Sequence, residues 1–171
     1  SRLPVLVVAA AYEAAGTRLA ERLLSLKSHN AADLQTGSLG DVEICLVGDD
    51  SVVTAYEMKA RSVTQDDIDA AATKIARAAR RIDNYLFVTT DAINPLVSDY
   101  AATFYEKTDG TEIALLDCIG FLRHFLHLFH RIRTDYLRAY QSLVLGEPDS
   151  AVSQTLKEAF LALRQAAESG E

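Results

Sequence analysis

The chain has 171 residues, a length expected of one domain, with 49% hydrophobic and 24% charged residues, 8 glycines and 3 prolines. That composition excludes disordered, collagen-like and low-complexity chains. Lysine and arginine number 17 against 24 aspartates and glutamates, a net charge of −7, so the average field repels nucleic acid and anionic membranes, and DNA contact needs a local basic patch or bound cations.

Residues 3–27 are predicted as one helix. Pro4 suits its first turn, and Tyr12, Leu19, Leu23 and Leu26 continue its apolar face. Gly16 weakens it locally. Its apolar start, Leu3 to Ala11, looks like a signal-peptide core only superficially, because the pattern runs on to Leu26. No apolar run approaches the roughly 18–20 residues that span a bilayer, so a cytoplasmic protein without a membrane partner is expected. The chain starts at Ser1 without methionine, as a piece of a longer protein would.

Residues 28–40 read as a small, polar loop. A strand over Asp41–Val47, a turn at Gly48–Ser51 and a strand over Val52–Lys59 form a hairpin. Thr64 caps a helix that runs to about Ile82, with Asp66 and Asp67 in its first turn. A buried strand at 85–90, a helix at 95–106 and a strand at 112–118 follow. One long helix is predicted from Gly120 to about Leu145, broken by Gly146-Glu147-Pro148, and a last helix over 150–168. The order predicts an α/β fold: a central mixed sheet flanked by helices. It is a single domain, with a core over about 3–118 and a C-terminal helical part over about 119–171. Cys45 and Cys118 lie in apolar runs and are expected as buried free thiols.

The hairpin carries the chemistry. Glu57 and Lys59 sit two apart and share one face. Whether Asp41 joins them depends on the turn. With loop 48–50, Asp41 lies opposite Glu57; with loop 49–51 it pairs with Lys59, and Glu43 with Glu57. Either odd loop gathers Asp41, Glu43, Glu57 and Lys59 on one face, whereas a four-residue loop needs a bulge to do so. Two or three carboxylates beside a lysine make a divalent-metal site of the phosphodiesterase kind. Hard oxygens hold Mg²⁺, which activates water and polarises phosphate, and the ammonium stabilises developing charge or positions the water. A solvated strand face with cross-strand ion pairs is the plainer alternative.

The setting is an Asp at a strand start, Glu-x-Lys on the next strand and a helix directly after. It resembles the PD-(D/E)xK nuclease superfamily, with Gly40 where a Pro is usual. A closer resemblance, to the SacI-type restriction endonuclease family, rests on several segments. These are His29-Asn30-Ala31-Ala32-Asp33, Gln35-Thr36-Gly37-Ser38-Leu39-Gly40-Asp41-Val42-Glu43-Ile44, Tyr56-Glu57-Met58-Lys59 and Thr64-Gln65-Asp66-Asp67-Ile68. The resemblance implies a restriction-endonuclease-like core and Mg²⁺-dependent cleavage of double-stranded DNA, with Mn²⁺ as a substitute, within a restriction–modification system. It implies Asp41, Glu57 and Lys59 as catalytic residues. It implies Asp41, Glu57 and the main-chain carbonyl of Met58 as metal ligands.

Other constellations are weaker. Superfamily members often add an acidic residue from the first helix, for which Glu13 is a better candidate than Glu21. His124, His127 and His130 recur every third residue, and core-edge histidines explain them better than a metal tract. Phe121, Phe125, Leu128, Ile132 and Tyr136 form a core stripe or dimer seam. Gln35, Thr36 and Ser38 before Asp41, with His29 and Asn30 as alternatives, are candidates for contacts to DNA. So are Arg61, Arg77, Arg80 and Arg81, and the arginines between 120 and 143 form a further basic stretch. A homodimer is expected, because cutting both strands suits two-fold symmetry. The competing function is a non-catalytic DNA-binding or dimerisation module with a nuclease-like fold.

Overall fold

Pro4 opens helix α1 (Leu3–Leu19), whose residues from Pro4 to Ala11 are all buried. A helix buried on every side lies inside the molecule, between layers. The computed structural model, which describes residues 2–26, 38–78 and 81–170, shows those layers. Five strands form one sheet in sequential order: β1 (Glu21–Leu23), β2 (Val42–Leu46), β3 (Val52–Lys59), β4 (Asn84–Thr89) and β5 (Glu112–Asp117). The first three are antiparallel neighbours, while β3, β4 and β5 are parallel. The sheet is therefore mixed and flanked by helices, as expected. Among the described residues no helix is long and apolar enough to cross a membrane.

Helices α2 (Gln65–Ala76) and α3 (Pro95–Ala102) make the two parallel crossovers. Ile68, Ala71 and Ile75 of α2 and Val97 and Ala101 of α3 pack with Ala55, Tyr85, Phe87 and Ile113. Val5 and Val8 of α1 cover the other face, on Val42, Ile44, Tyr56 and Val88. Behind α1 lie α4 (Cys118–Leu128), α5 (Arg133–Gly146) and α6 (Gln154–Ser169). Phe125, Ile132 and Tyr136 meet Ala10, Ala11 and Ala15 of α1. Cys45 and Cys118 are buried and free.

Several expected boundaries change. The first helix stops at Leu19 instead of running to 27, with Ala20 left-handed at φ 55°. A Cβ on Gly16 would stand 2.6 Å from the Glu21 carbonyl oxygen, so glycine lets the chain fold back closely. Residues 21–23 then add to β2 as an edge strand, and Leu23 and Leu26 pack under the sheet rather than on a helix face. Helix α2 ends at Ala76, short of Ile82, which instead drops into the core. Helix α3 ends at Ala102, and a short 3-10 turn follows at Glu106–Thr108. The helix predicted from 120 to 145 breaks at Phe129 and a 3-10 turn, His130–Ile132. The break brings the Phe129 and Tyr136 rings to 5.0 and 5.4 Å from Phe125. It is held by Arg133 Nε donating to the Leu126 carbonyl at 2.7 Å.

Candidate active site

The antiparallel hairpin sets Val42 opposite Tyr56 and Glu43 opposite Ala55, with an irregularity between Ile44 and Cys45. One step further along this register, Asp41 falls opposite Glu57. The irregularity absorbs a one-residue shift toward the turn, so the parity at the open end does not follow from loop length alone. The Asp41 N–H donates to the Tyr56 carbonyl at 2.7 Å, and its carboxylate accepts the Met58 N–H at 2.7 Å. In a strand the N–H and C=O of one residue leave by the same edge, so the Met58 carbonyl emerges on the Asp41 side.

Gly40 makes this approach possible. A Cβ there would lie 2.5 Å from the Tyr56 carbonyl oxygen. The preceding loop is braced from below. Glu43 accepts the Leu39 N–H at 2.7 Å and the Ser38 hydroxyl at 3.1 Å, and that hydroxyl also lies 2.8 Å from the Gly40 carbonyl. Glu43 and Ser38 thus tie down the entry to Asp41. Ser38 is buried, with its hydroxyl turned into the loop. Gly40→Ala should lower stability by about 1–3 kcal/mol through overpacking, several degrees in Tm for a chain of this size. Gly146→Ala, where a Cβ meets nothing within 4 Å, should be neutral or slightly stabilising; a thermal melt of both variants checks this.

Glu57 and Lys59 lie on the face that α2 covers. Glu57 Oε1 is 2.6 Å from Lys59 Nζ and Oε2 is 2.8 Å from Lys74 Nζ, and the Tyr85 hydroxyl donates to Oε2. Burial pushes the Glu57 carboxyl upward, but the hydrogen bonds from Lys59, Lys74 and Tyr85 outweigh it and hold the group below its ordinary value. Lys59 also reaches Asp67 at 3.2 Å. Burial pulls the Lys59 ammonium down, and its bonds to Glu57 and Asp67 more than restore it, to above the ordinary lysine value. Asp67 closes a capping box with Thr64 and takes both terminal nitrogens of Arg61, at 2.7 and 2.8 Å. Burial opposes its charge, but Arg61, Thr64 and Lys59 hold it far below the usual carboxylate range. The Arg61 segment is tied to β4: Thr89 donates to the Arg61 carbonyl at 2.9 Å, and the Ser62 hydroxyl to Asp91 at 2.7 Å.

Sequence reasoning named Asp41, Glu57, Lys59 and Arg61, and the structure brings these four to one end of the hairpin. It missed Lys74 and Tyr85, and read Asp67 only as dipole compensation. A signal existed for Lys74: seven residues after Asp67, it shares that helix face. Tyr85 lies beside Ala55 in register and on the same face as Glu57. Arg77 caps the far end of α2, about 15 Å along the axis from Asp67. Arg81, beyond it, contacts the Gly110 carbonyl and Asp83. Glu13 is exposed on α1, which packs on the other sheet face. The three histidines expected at the core edge are exposed, with His127 Nδ1 2.7 Å from the Arg123 carbonyl. Among the described residues no group of three or more His, Cys, Asp or Glu side chains is placed to hold a metal ion. His29, Asn30, Gln35, Thr36 and Arg80 lie outside the described residues.

Comparison with curated proteins finds no match. The family described as SacI restriction endonuclease C-terminal domain matches residues 2–90. That is just over half of the chain, from the start of α1 to the end of β4, and includes every side chain of the Asp41–Glu57–Lys59–Asp67–Lys74 cluster. The chain belongs to this restriction endonuclease family.

Proposed function

We propose that this domain is the catalytic core of a metal-dependent endonuclease that hydrolyses phosphodiester bonds of duplex DNA, in a type II restriction enzyme of a restriction–modification system. The observation that carries the reading is Asp41 seated on the Met58 amide and in register with Glu57, which lies against Lys59, inside the segment that matches the family. The pattern is that of the PD-(D/E)xK nucleases, apart from Gly40 in the place of proline. The close approach of the Tyr56 carbonyl accounts for that departure, because proline too carries a Cβ.

The donor set fits a hard dication. The Asp41 carboxylate, the Glu57 carboxylate and the Met58 carbonyl are all oxygen donors, and Mg²⁺ usually keeps several waters beside one or two carboxylates. Bound there, Mg²⁺ supplies Lewis-acid polarisation of the phosphate and a more acidic water. The chain's own groups do the rest. Lys59, fully charged at neutral pH between Glu57 and Asp67, serves as a fixed cation against the charge that develops on phosphate. Asp67 holds Lys59 in place, and Arg61, more than half exposed at 57%, offers a phosphate contact beside it. Two copies related by a two-fold axis would present two such sites to the two strands.

The test is cleavage of a long duplex of mixed sequence with Mg²⁺, Mn²⁺ or EDTA. Discrete fragments with either ion and intact DNA in EDTA are expected. DNA that is bound but never cut with either ion would replace this reading by that of a non-catalytic DNA-binding module.

A further inference from the structure

We infer that Lys74 is the resident counter-ion of Glu57 and sets how tightly the site takes a divalent cation, an inference that deepens the nuclease reading above and rests on it. Each oxygen of Glu57 faces an ammonium: Lys59 at 2.6 Å on Oε1 and Lys74 at 2.8 Å on Oε2. Arg61 stands on Asp67, so the cations Lys59, Lys74 and Arg61 surround the carboxylates Glu57 and Asp67. A dication that uses Glu57 therefore meets an ammonium on each of its oxygens.

The two lysines are not equivalent. Lys59 is held from two sides, by Glu57 and Asp67, and lies 5.9 Å from the centre of the Phe87 ring. Lys74 comes from the other wall of the site, on α2 rather than on the strand that carries Glu57, and its side chain is 27% exposed against 20% for Lys59. A lysine is a compact, strongly hydrated point charge on a flexible stem, so its displacement by a dication moves a side chain and leaves the sheet in place. The Tyr85 hydroxyl also donates to Oε2, from a side chain with no exposed surface, and keeps Glu57 oriented when Lys74 leaves. Lys74 thus holds Glu57 in place without metal, and opposes a metal's arrival by like charge.

The test is Ca²⁺ titrated calorimetrically into the purified chain, with thermal melts in EDTA and in Ca²⁺ alongside. Lys74→Met is expected to melt lower in EDTA, to bind Ca²⁺ more tightly by on the order of tenfold, and to gain more Tm from Ca²⁺ than wild type does. Lys74→Gln should behave alike, so the outcome does not hang on one variant folding. Lys74→Arg should keep about wild-type affinity, and Asp41→Asn should weaken it. Unchanged or weaker Ca²⁺ affinity in both neutral variants overturns the role of Lys74 and leaves the nuclease reading standing. So does equal tightening in Lys74→Arg. Ca²⁺ binding that is indifferent to Asp41→Asn, or absent from every variant, removes the metal site at this hairpin, and the inference with it.

Discussion

Asp41→Asn, Glu57→Gln and Lys59→Met should each lower Mg²⁺-dependent cleavage of duplex DNA by about 10³-fold or more. The first two weaken the hold on a dication, and the third removes a fixed positive charge beside the reacting phosphate. The variants differ in what else they disturb. An asparagine at 41 keeps an oxygen to accept the Met58 N–H, so that hydrogen bond survives the substitution. A glutamine at 57 leaves Lys59 and Lys74 around a neutral amide in a half-buried setting, so Tm should fall by several degrees along with activity. Lys59→Met leaves Glu57 with Lys74 and Asp67 with Arg61, and a smaller loss of stability is expected. Asp41→Asn is accordingly the cleanest of the three. Cleavage rates on plasmid DNA, with circular dichroism as the folding control, decide the matter; wild-type cleavage by Asp41→Asn would sink the assignment.

DNA affinity should rise about tenfold or more when EDTA is replaced by Ca²⁺. The chain as a whole carries −7, which repels DNA. A dication at the hairpin adds local positive charge where the scissile phosphate must sit. Ca²⁺ should support binding but little cleavage, since its looser coordination positions water poorly. Affinity in Ca²⁺ should also fall steeply with added salt, because Arg61 and the other basic residues act through phosphate contacts and counterion release. Fluorescence anisotropy on duplex DNA across a salt series measures both effects. Equal affinity in EDTA and Ca²⁺ would argue against a metal at this hairpin. A gain that survives the double variant Asp41→Asn, Glu57→Gln would place the ion elsewhere.

Local chemistry made much of this molecule legible from its residues. The Thr64 helix cap, the alternation through Val42, Ile44 and Leu46 and the Gly48–Ser51 turn are short-range signals. Each one sets the conformation of the residues that carry it. The β3 boundaries and the α/β class follow from such signals, and so does the sharing of one face by Glu57 and Lys59. What needed the tertiary structure is what depends on partners far along the chain. Residues 21–23 carry no pattern long enough to mark a strand and become one only because β2 offers a free edge. The break at Phe129 has no glycine or proline to announce it, and exists because Phe125, Phe129 and Tyr136 pack together when the helix bends around α1. The register that sets Asp41 against Glu57 rested on parity, which the irregularity at Ile44 and Cys45 altered. The cation opposite Glu57 also needed the tertiary structure. Lys74 is a lone lysine on an amphipathic helix, and only the crossover that lays α2 on the sheet brings its ammonium to the carboxylate.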